Sequence, residues 1–145
     1  MQYWILTAVF IALLAIIAGK NISSLHKRRV FHNRKITLLD EIWANNFSTI
    51  DETEFNIVWE EVSTLLNVDK NRLSPDDKLK EIAKLYPFPE NLCDDLEEYL
   101  SRMGIHHDTS KKGIAERTVG DLVSNILQKK KRLKVAELFS PSMII

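Results

Sequence analysis

An unbroken apolar run opens the chain, and the later hydrophobic residues recur at helical spacing. Residues 3–19 read YWILTAVFIALLAIIAG, without a charged side chain. At about 1.5 Å per residue, such a helix is about 26 Å long, close to the ~30 Å hydrocarbon core of a bilayer. A cleaved signal peptide is the alternative, favoured by the small residues Ala15 and Ala18, but it requires positive charge before the apolar run. We therefore predict an uncleaved membrane anchor.

Positive charge follows the anchor and predicts its orientation. The positive-inside rule keeps a basic segment on the cytoplasmic side of the membrane. We expect a single pass through a bacterial inner membrane, with the N-terminus outside and the soluble domain in the cytoplasm. Three cations are predicted to lie at the surface of the lipid bilayer, where each gains about 1 kcal/mol from anionic headgroups: Lys27, Arg28 and Arg29. The alternative is that these cations serve only as the topology signal.

Apolar residues with a period near 3.6 predict an all-α domain after the anchor. Thr49-Ile50-Asp51-Glu52 has the form of a capping box and predicts the start of the first helix of the domain. The segment from Ser74 to Asp77 predicts a short helical turn. Pro89 predicts the start of the second main helix and Gly104 its end. Thr118 is the expected N-cap of the last helix.

Composition and charge divide the chain into four segments. Glycine and proline are scarce, with four of each, which favours helices over a turn-rich β fold. Acidic residues outnumber basic ones between positions 36 and 128, although the formal net charge of the chain is +0. We predict an anchor (1–19), a basic juxtamembrane and linker helix (20–47), a helical domain (48–128) and a basic C-terminal tail (129–145). Residues 38–43 either continue the membrane helix or form a separate packing element.

The basic tail has two interpretations. Its cations are Lys129, Lys130, Lys131, Arg132 and Lys134. They form either a solvated helix end or a basic amphipathic segment that lies on the membrane. Nucleic acid is not expected as a partner, because the acidic domain repels phosphate and no aromatic residues interleave the basic run.

Between Trp59 and Leu127, the order of motifs resembles an acyl carrier protein. Leu65-Leu66-Asn67-Val68-Asp69 is similar to the family's Leu-Gly-Val-Asp, and Leu73-Ser74-Pro75-Asp76 is similar to the Val-Thr-Pro-Glu that follows. Met103-Gly104-Ile105 resembles its Phe-Gly-Ile, and Thr118-Val119-Gly120-Asp121-Leu122 resembles the Thr-Val-Gly-Asp that starts its last helix. The resemblance implies a small four-helix bundle of three longer helices and one short one, whose acidic second helix binds basic patches on partner enzymes.

The resemblance fails at the residue that carries the family's prosthetic group. Family members have Asp-Ser-Leu at the start of the second helix, and the serine hydroxyl takes the phosphopantetheine arm. Here the segment reads Pro87-Phe88-Pro89-Glu90-Asn91-Leu92, and the serine position falls on or near Pro89. Cys93 lies on the apolar stripe, where a small buried hydrophobe is expected, and Ser74 and Ser101 lie too far away. We therefore predict no bound cofactor.

Four carboxylates on the second main helix are the predicted partner-binding residues: Asp94, Asp95, Glu97 and Glu98. They would match a basic surface on a protein partner. The alternative is a solvated strip that serves only solubility. His106-His107-Asp108 carries metal-ligand chemistry, but adjacent loop histidines point in different directions and no further ligand follows at a recognisable spacing, so we predict no metal site.

No catalytic residue is predicted, because the chain has no phosphate-binding loop, no Ser/His/Asp order and no Cys-x-x-Cys motif. The sequence therefore favours a non-catalytic, membrane-tethered interaction module with a carrier-like helical bundle. Two alternatives stay open. One is a membrane-anchored acyl carrier with an unusual attachment site. The other is a membrane-bound toxin-immunity protein whose acidic face matches a basic toxin.

Overall fold

The structure, a computed structural model, describes residues 2–105 and 113–139. Within these ranges all regular structure is helical and no strand occurs, which confirms the all-α prediction. The described part of the chain contains six α-helices and one 3-10 turn: α1 (Gln2–His32), α2 (Leu39–Asn46), α3 (Glu52–Leu65), α4 (Leu79–Ala83), α5 (Pro89–Arg102), the turn Ile114–Glu116 and α6 (Val119–Phe139).

Helix α1 is long and apolar enough to cross a membrane. It has 31 residues, about 46 Å of helix, and its most apolar window has a mean hydropathy of 2.2. Residues 3–23 are all exposed along the helix. The helix does not end with the apolar run at Gly19 but continues unbroken to His32, because no proline interrupts it.

One face of the second half of α1 packs against the domain. Lys20, Ser24, Arg28 and Phe31 recur at the i, i+4, i+8 and i+11 positions that share a helix face. Ser24 is buried, and Phe31, only 3% exposed, belongs to the hydrophobic core. The segment that was predicted to be a basic linker therefore supplies a core residue.

Helix α2 settles the choice that the sequence left open for residues 38–43. It is a separate helix, set off from α1 by a short extended segment. Ile42 is buried against the core, and the indole Nε1 of Trp43 donates to the carbonyl of Ile50 at 2.8 Å. The stretch is a packing element of the domain.

The core is centred on α3. Its inner face carries Phe55, Val58, Trp59 and Val62, all at most 1% exposed, and Phe47 stacks on Phe55 with ring centroids 4.9 Å apart. Helix α6 packs along α3. The two run antiparallel, since Lys130 pairs with Glu61 whereas Lys134, further along α6, pairs with Glu54 at the other end of α3.

The predicted start and end of α5 and the predicted start of α6 are confirmed by their capping. Pro89 stands at the first turn of α5. At its end Gly104 has φ +66°, its amide donates to Ser101 and the amide of Ile105 donates to Leu100, which is a Schellman motif. In α6 the hydroxyl of Thr118 accepts from the amide of Asp121 at 3.1 Å.

Two other predicted helix starts were wrong. The N-cap of α3 is Asp51, whose carboxylate accepts from the amide of Glu54 at 3.0 Å, and not Thr49. A carboxylate at this position gains from the helix dipole as well as from the hydrogen bond. Residues 74–77 form a non-helical turn, because the Asp77 carboxylate accepts from the amide of Ser74 at 2.9 Å, and α4 begins only at Leu79.

The turn of residues 74–77 is hydrogen-bonded to the start of α6. The amide of Gly120 donates to the carbonyl of Pro75 at 2.8 Å, and the amide of Leu79 donates to the carbonyl of Arg117 at 2.9 Å. A Cβ at position 120 would lie 3.1 Å from the Pro75 oxygen, so this close approach favours glycine. Two of the motifs that resemble carrier proteins thus serve to join α4 to α6.

Candidate partner-binding site

The four predicted partner-binding residues lie on the exposed side of α5. Leu96 and Leu100 are fully buried on the opposite side of the helix. Asp94, Asp95, Glu97 and Glu98 are all exposed, and so is Glu90 in the first turn. Glu90, Asp94 and Glu97 follow the i, i+4, i+7 spacing of a single stripe, with Glu98 beside it. We call the exposed carboxylates of residues 90–98 the acidic face of α5.

Most of the acidic face is not neutralised from within the domain. Across residues 2–105 and 113–139, no hydrogen bond or ion pair involves the side chains of Asp94, Asp95 or Glu97, and Glu98 pairs only with Arg102 one turn later. Some acidic residues elsewhere have cationic partners, as in the contacts of Asp77 with Arg34 and of Glu61 with Lys130, whereas the exposed Asp40 and Glu52 have none among the described residues. The acidic face therefore offers its charge to solvent or to a partner.

Cys93 lies at the edge of the acidic face and packs partly against the core. Burial raises the pKa of its thiol, and the neighbouring carboxylates of Asp94, Glu97 and Glu90 raise that pKa further. A raised pKa lowers the fraction of thiolate, which is the nucleophilic form. Cys93 is thus poorly suited to form a thioester or another covalent attachment.

No nucleophilic side chain stands at the start of α5, where the resembling family carries its serine. Phe88 occupies the N-cap position and Pro89 follows it in the first turn. The Ser74 hydroxyl accepts from the amide of Asp76 in the turn that packs on α6, and Ser101 lies near the opposite end of α5. Neither of these two serines stands at the start of α5 to replace the missing one.

A cleft of about 330 Å³ opens beside the start of α5. Its lining is mostly apolar and includes Leu66, Phe88 and Leu92, together with the carboxylate-bearing Asp95. Tyr86 forms part of the same wall, and its hydroxyl donates to the carbonyls of Leu66 and Asn67. Sequence reasoning did not identify this cleft, because it is formed by the end of α3 and the loop before α5, which are about 20 residues apart along the chain.

The predicted membrane-surface cations divide into two kinds. Lys27 and Arg29 are exposed on α1. Arg28 is half-buried, and its guanidinium carbon lies 4.5 Å from the centroid of the Tyr86 ring, an arrangement that gives a cation–π attraction. A second cleft, of about 470 Å³, lies next to this contact between α1 and the end of α3. Arg28 therefore helps to join α1 to the domain.

The cations of the basic tail are likewise used within the domain, on α6. The ammonium of Lys130 lies 2.9 Å from Glu61, the ammonium of Lys134 pairs with Glu54, and that of Lys129 donates to the carbonyl of Gly104 at 3.3 Å. Lys131 and Arg132 are exposed. The tail is thus helical up to Phe139, and three of its cations hold α6 against α3 and α5.

Glu61 is the centre of a small polar network between α3, α5 and α6. The Tyr99 hydroxyl donates to one carboxylate oxygen and Lys130 to the other. Burial pushes the pKa of Glu61 upward, but the hydrogen bonds from Tyr99 and Lys130 outweigh it and hold the pKa below its ordinary value. Burial, followed by the bond to Glu61, raises the pKa of Tyr99. Glu61 is therefore bound in its charged form.

In the described parts of the chain, no group of three or more His, Cys, Asp or Glu side chains is placed to hold a metal ion. The predicted absence of a metal site rested on His106, His107 and Asp108, which lie outside the described residues. Comparison of the chain with protein-family models, with curated proteins and with solved structures found no significant match.

Proposed function

We propose that this protein is a non-catalytic interaction module that α1 tethers to the inner face of a bacterial inner membrane, and that the acidic face of α5 binds a basic surface on a protein partner. The observation that carries the proposal is the set of exposed carboxylates without a cationic partner among the described residues. Unpaired charge of one sign attracts a partner of the opposite sign and speeds the encounter.

The order of helices supports a degenerate acyl-carrier-like bundle as the architecture of this module. Helices α3, α5 and α6 have 14, 14 and 21 residues, and α4 is a short helix of five residues between the first two. This is the pattern of three longer helices and one short one that the resemblance implies. In that family the acidic second helix is the surface that partners recognise, and α5 is the second of the three longer helices here, although the short α4 precedes it.

A carrier function has less support than a docking function. The start of α5 has no hydroxyl or thiol, and the pKa of the nearest thiol, that of Cys93, is raised. An attached phosphopantetheine arm would nevertheless be visible as a mass increase of about 340 Da on the purified protein. An unmodified intact mass is expected.

The cytoplasmic placement of the domain is supported by the cations that follow the apolar run of α1. Lys27 and Arg29 are exposed at the end of the helix, where the positive-inside rule acts. A cysteine-accessibility experiment in intact cells, with a membrane-impermeant thiol reagent and a cysteine at position 98 in a Cys93→Ser background, tests the orientation. No labelling before lysis and full labelling after it is expected.

The test of partner binding is a pull-down of the full-length protein from gently solubilised native membranes. The bait is compared with a variant carrying Asp94→Asn, Asp95→Asn, Glu97→Gln and Glu98→Gln. The matched control neutralises four exposed carboxylates on other elements, with Asp40→Asn, Glu41→Gln, Glu52→Gln and Asp76→Asn. We expect a partner that the native and control baits retain and the α5 variant loses. A partner retained equally by all three baits would contradict the proposal.

A further inference from the structure

The loop that precedes α5 lies beside the part of α1 that follows the apolar run. The ammonium of Lys20, the first charged residue of α1, lies 5.7 Å from the centroid of the Phe88 ring. Arg28 lies over the ring of Tyr86 about 12 Å further along the same helix. The loop from Tyr86 to Phe88 thus runs along α1, with Phe88 at the end nearer the apolar run.

Given the length of α1, the Phe88 end of the loop would lie at the surface of a membrane that α1 crosses. A hydrocarbon core of ~30 Å corresponds to about 20 residues of untilted helix. If the core begins at Tyr3, where aromatic residues suit the interface, it ends within about one turn of Lys20. The ammonium of Lys20 then extends toward the headgroups, as lysines near helix ends do. Phe88 lies at the same depth, because it contacts that ammonium.

The apolar surface of α1 continues past Lys20, which supports placing the end of the hydrocarbon core near this residue. Ile22 and Leu25 are 68% and 62% exposed on the sides of the helix that the domain leaves open. Exposed apolar side chains there are accommodated by lipid and disfavoured by water. A hydrocarbon boundary about one turn beyond Lys20 on those sides would cover both side chains.

Phe88 itself has the chemistry of an interfacial contact. Whereas the neighbouring Tyr86 is half-buried, Phe88 is 46% exposed. Pro87 and Pro89 flank it, and neither has a backbone N–H that would lose a hydrogen bond on leaving water. The ammonium of Lys20 supplies positive charge next to it for anionic headgroups.

We propose that Phe88 inserts into the headgroup interface of the leaflet from which α1 emerges, so that the domain is seated on the bilayer by two attachments, α1 and the Phe88 loop. This proposal rests on the proposed membrane tether. Seating by Phe88 places the first turn of α5 at the membrane surface, so a partner of the acidic face must approach along the membrane. The occupant of this surface is lipid, and a protein partner of the loop is an outcome that the test distinguishes.

The test uses the full-length protein with Cys93→Ser and one cysteine for a nitroxide spin label, reconstituted in vesicles of phosphatidylethanolamine and phosphatidylglycerol. Labels at Ile17→Cys, Phe88→Cys and Glu98→Cys report the anchor, the loop and the exposed side of α5. Depth is read from the accessibility of the label to oxygen, which concentrates in lipid, relative to a water-soluble nickel chelate. We expect position 17 to be in lipid, position 98 in water and position 88 between them.

The outcomes separate the two proposals. If position 17 is in lipid and position 88 is as accessible to nickel as position 98, insertion of Phe88 is overturned while the tether stands. That result would leave the loop open to a protein partner. If position 17 is itself accessible to nickel, the tether fails and the seating fails with it.

A second measurement keeps the native ring in place. The label is moved to the exposed Asn91 in the first turn of α5, and Phe88 is compared with Phe88→Leu and Phe88→Glu. We expect several-fold greater nickel accessibility at position 91 in Phe88→Glu and little change in Phe88→Leu, with the same far-ultraviolet circular dichroism in all three. Equal accessibility in the three proteins would overturn the insertion of Phe88.

Discussion

The cations of α1 and α6 and the carboxylates of α5 are both dense runs of charge in the sequence, but the structure uses them in opposite ways. Arg28, Lys130 and Lys134 each contact an aromatic ring or a carboxylate of the domain. Asp94 and Glu97 contact no cation in the described ranges. A charge run therefore has a structural role where another element lies within reach, and stays available to a partner where none does.

The unpaired acidic face has an energetic disadvantage for the isolated domain. Like charges three or four residues apart on a helix destabilise it by about 0.2–0.5 kcal/mol for each pair. Glu90, Asp94, Glu97 and Glu98 include several such pairs. Residues that reduce stability and have no structural partner are expected at functional sites. This reasoning favours the docking interpretation over simple solubility.

The largest change in stability is expected from removing the apolar contact through which α1 packs on the domain. Phe31→Ala should lower the free energy of unfolding by about 3 kcal/mol, because a nearly fully buried aromatic ring leaves a cavity. The measurement is chemical denaturation in detergent micelles followed by the fluorescence of the domain tryptophans. Val30→Ala, at the exposed neighbouring position, is the control and should change stability by less than about 0.5 kcal/mol. Equal effects of the two substitutions would mean that α1 is not packed on the domain.

A smaller effect is expected from the ion pair that follows α1. The Arg34 guanidinium donates to both oxygens of Asp77 at 2.7 and 2.8 Å, and the side chain of Asp77 is only 13% exposed. Because Arg34 itself is partly exposed, Arg34→Ala should cost about 1 kcal/mol in the same denaturation measurement, between the values for buried and surface pairs. Lys35→Ala, the exposed cation beside it, should cost almost nothing. A matching loss in Lys35→Ala would show that net charge, and not this pair, is responsible.

The pH dependence of stability tests whether the charged form of Glu61 stabilises the domain. Because the folded-state pKa of this carboxyl is lowered below 4.5, its contribution is present above that pH and is lost as the pH falls through the folded value. The melting temperature should therefore fall between neutral and acidic pH, and it should fall less in Glu61→Gln than in the native protein, because the glutamine side chain does not titrate. An unchanged pH profile in the variant would assign the acid loss to other carboxylates.

The sequence predicted the elements whose signals are local. The apolar run of α1, the Pro89 start and Gly104 end of α5, and the Thr118 cap of α6 were read from residues within a few positions of each other. The acidic side of α5 followed from helical spacing alone. At α3 a local signal misled, because Thr49 and Asp51 both satisfy a capping pattern and the turn before the helix selects Asp51.

The parts that the sequence did not predict depend on contacts between distant residues. Lys134 and Glu54 are 80 positions apart, and the stripe Lys20, Ser24 and Arg28 on α1 is polar, so no hydrophobic pattern indicates that a domain packs on it. Lys27, Arg28 and Arg29 were predicted to lie at the membrane surface, and the basic tail was left open between a solvated helix end and a membrane contact, because the acidic and aromatic partners of these cations could not be located from sequence. Such pairings are established only by the tertiary fold.

One pair of variants tests the central claim most directly. The claim is that the carboxylates of α5 do not stabilise the domain, whereas the carboxylates of α3 that pair with lysines of α6 do. The double variant Asp94→Asn/Glu97→Gln is compared with Glu54→Gln/Glu61→Gln, which removes the same charge from the partners of Lys134 and Lys130. The measurement is the free energy of unfolding of each full-length protein in the same detergent. We expect the α5 variant to be as stable as the native protein or slightly more stable, and the α3 variant to be less stable. A loss of stability in the α5 variant that equals the loss in the α3 variant would contradict the claim that the acidic face is reserved for a partner.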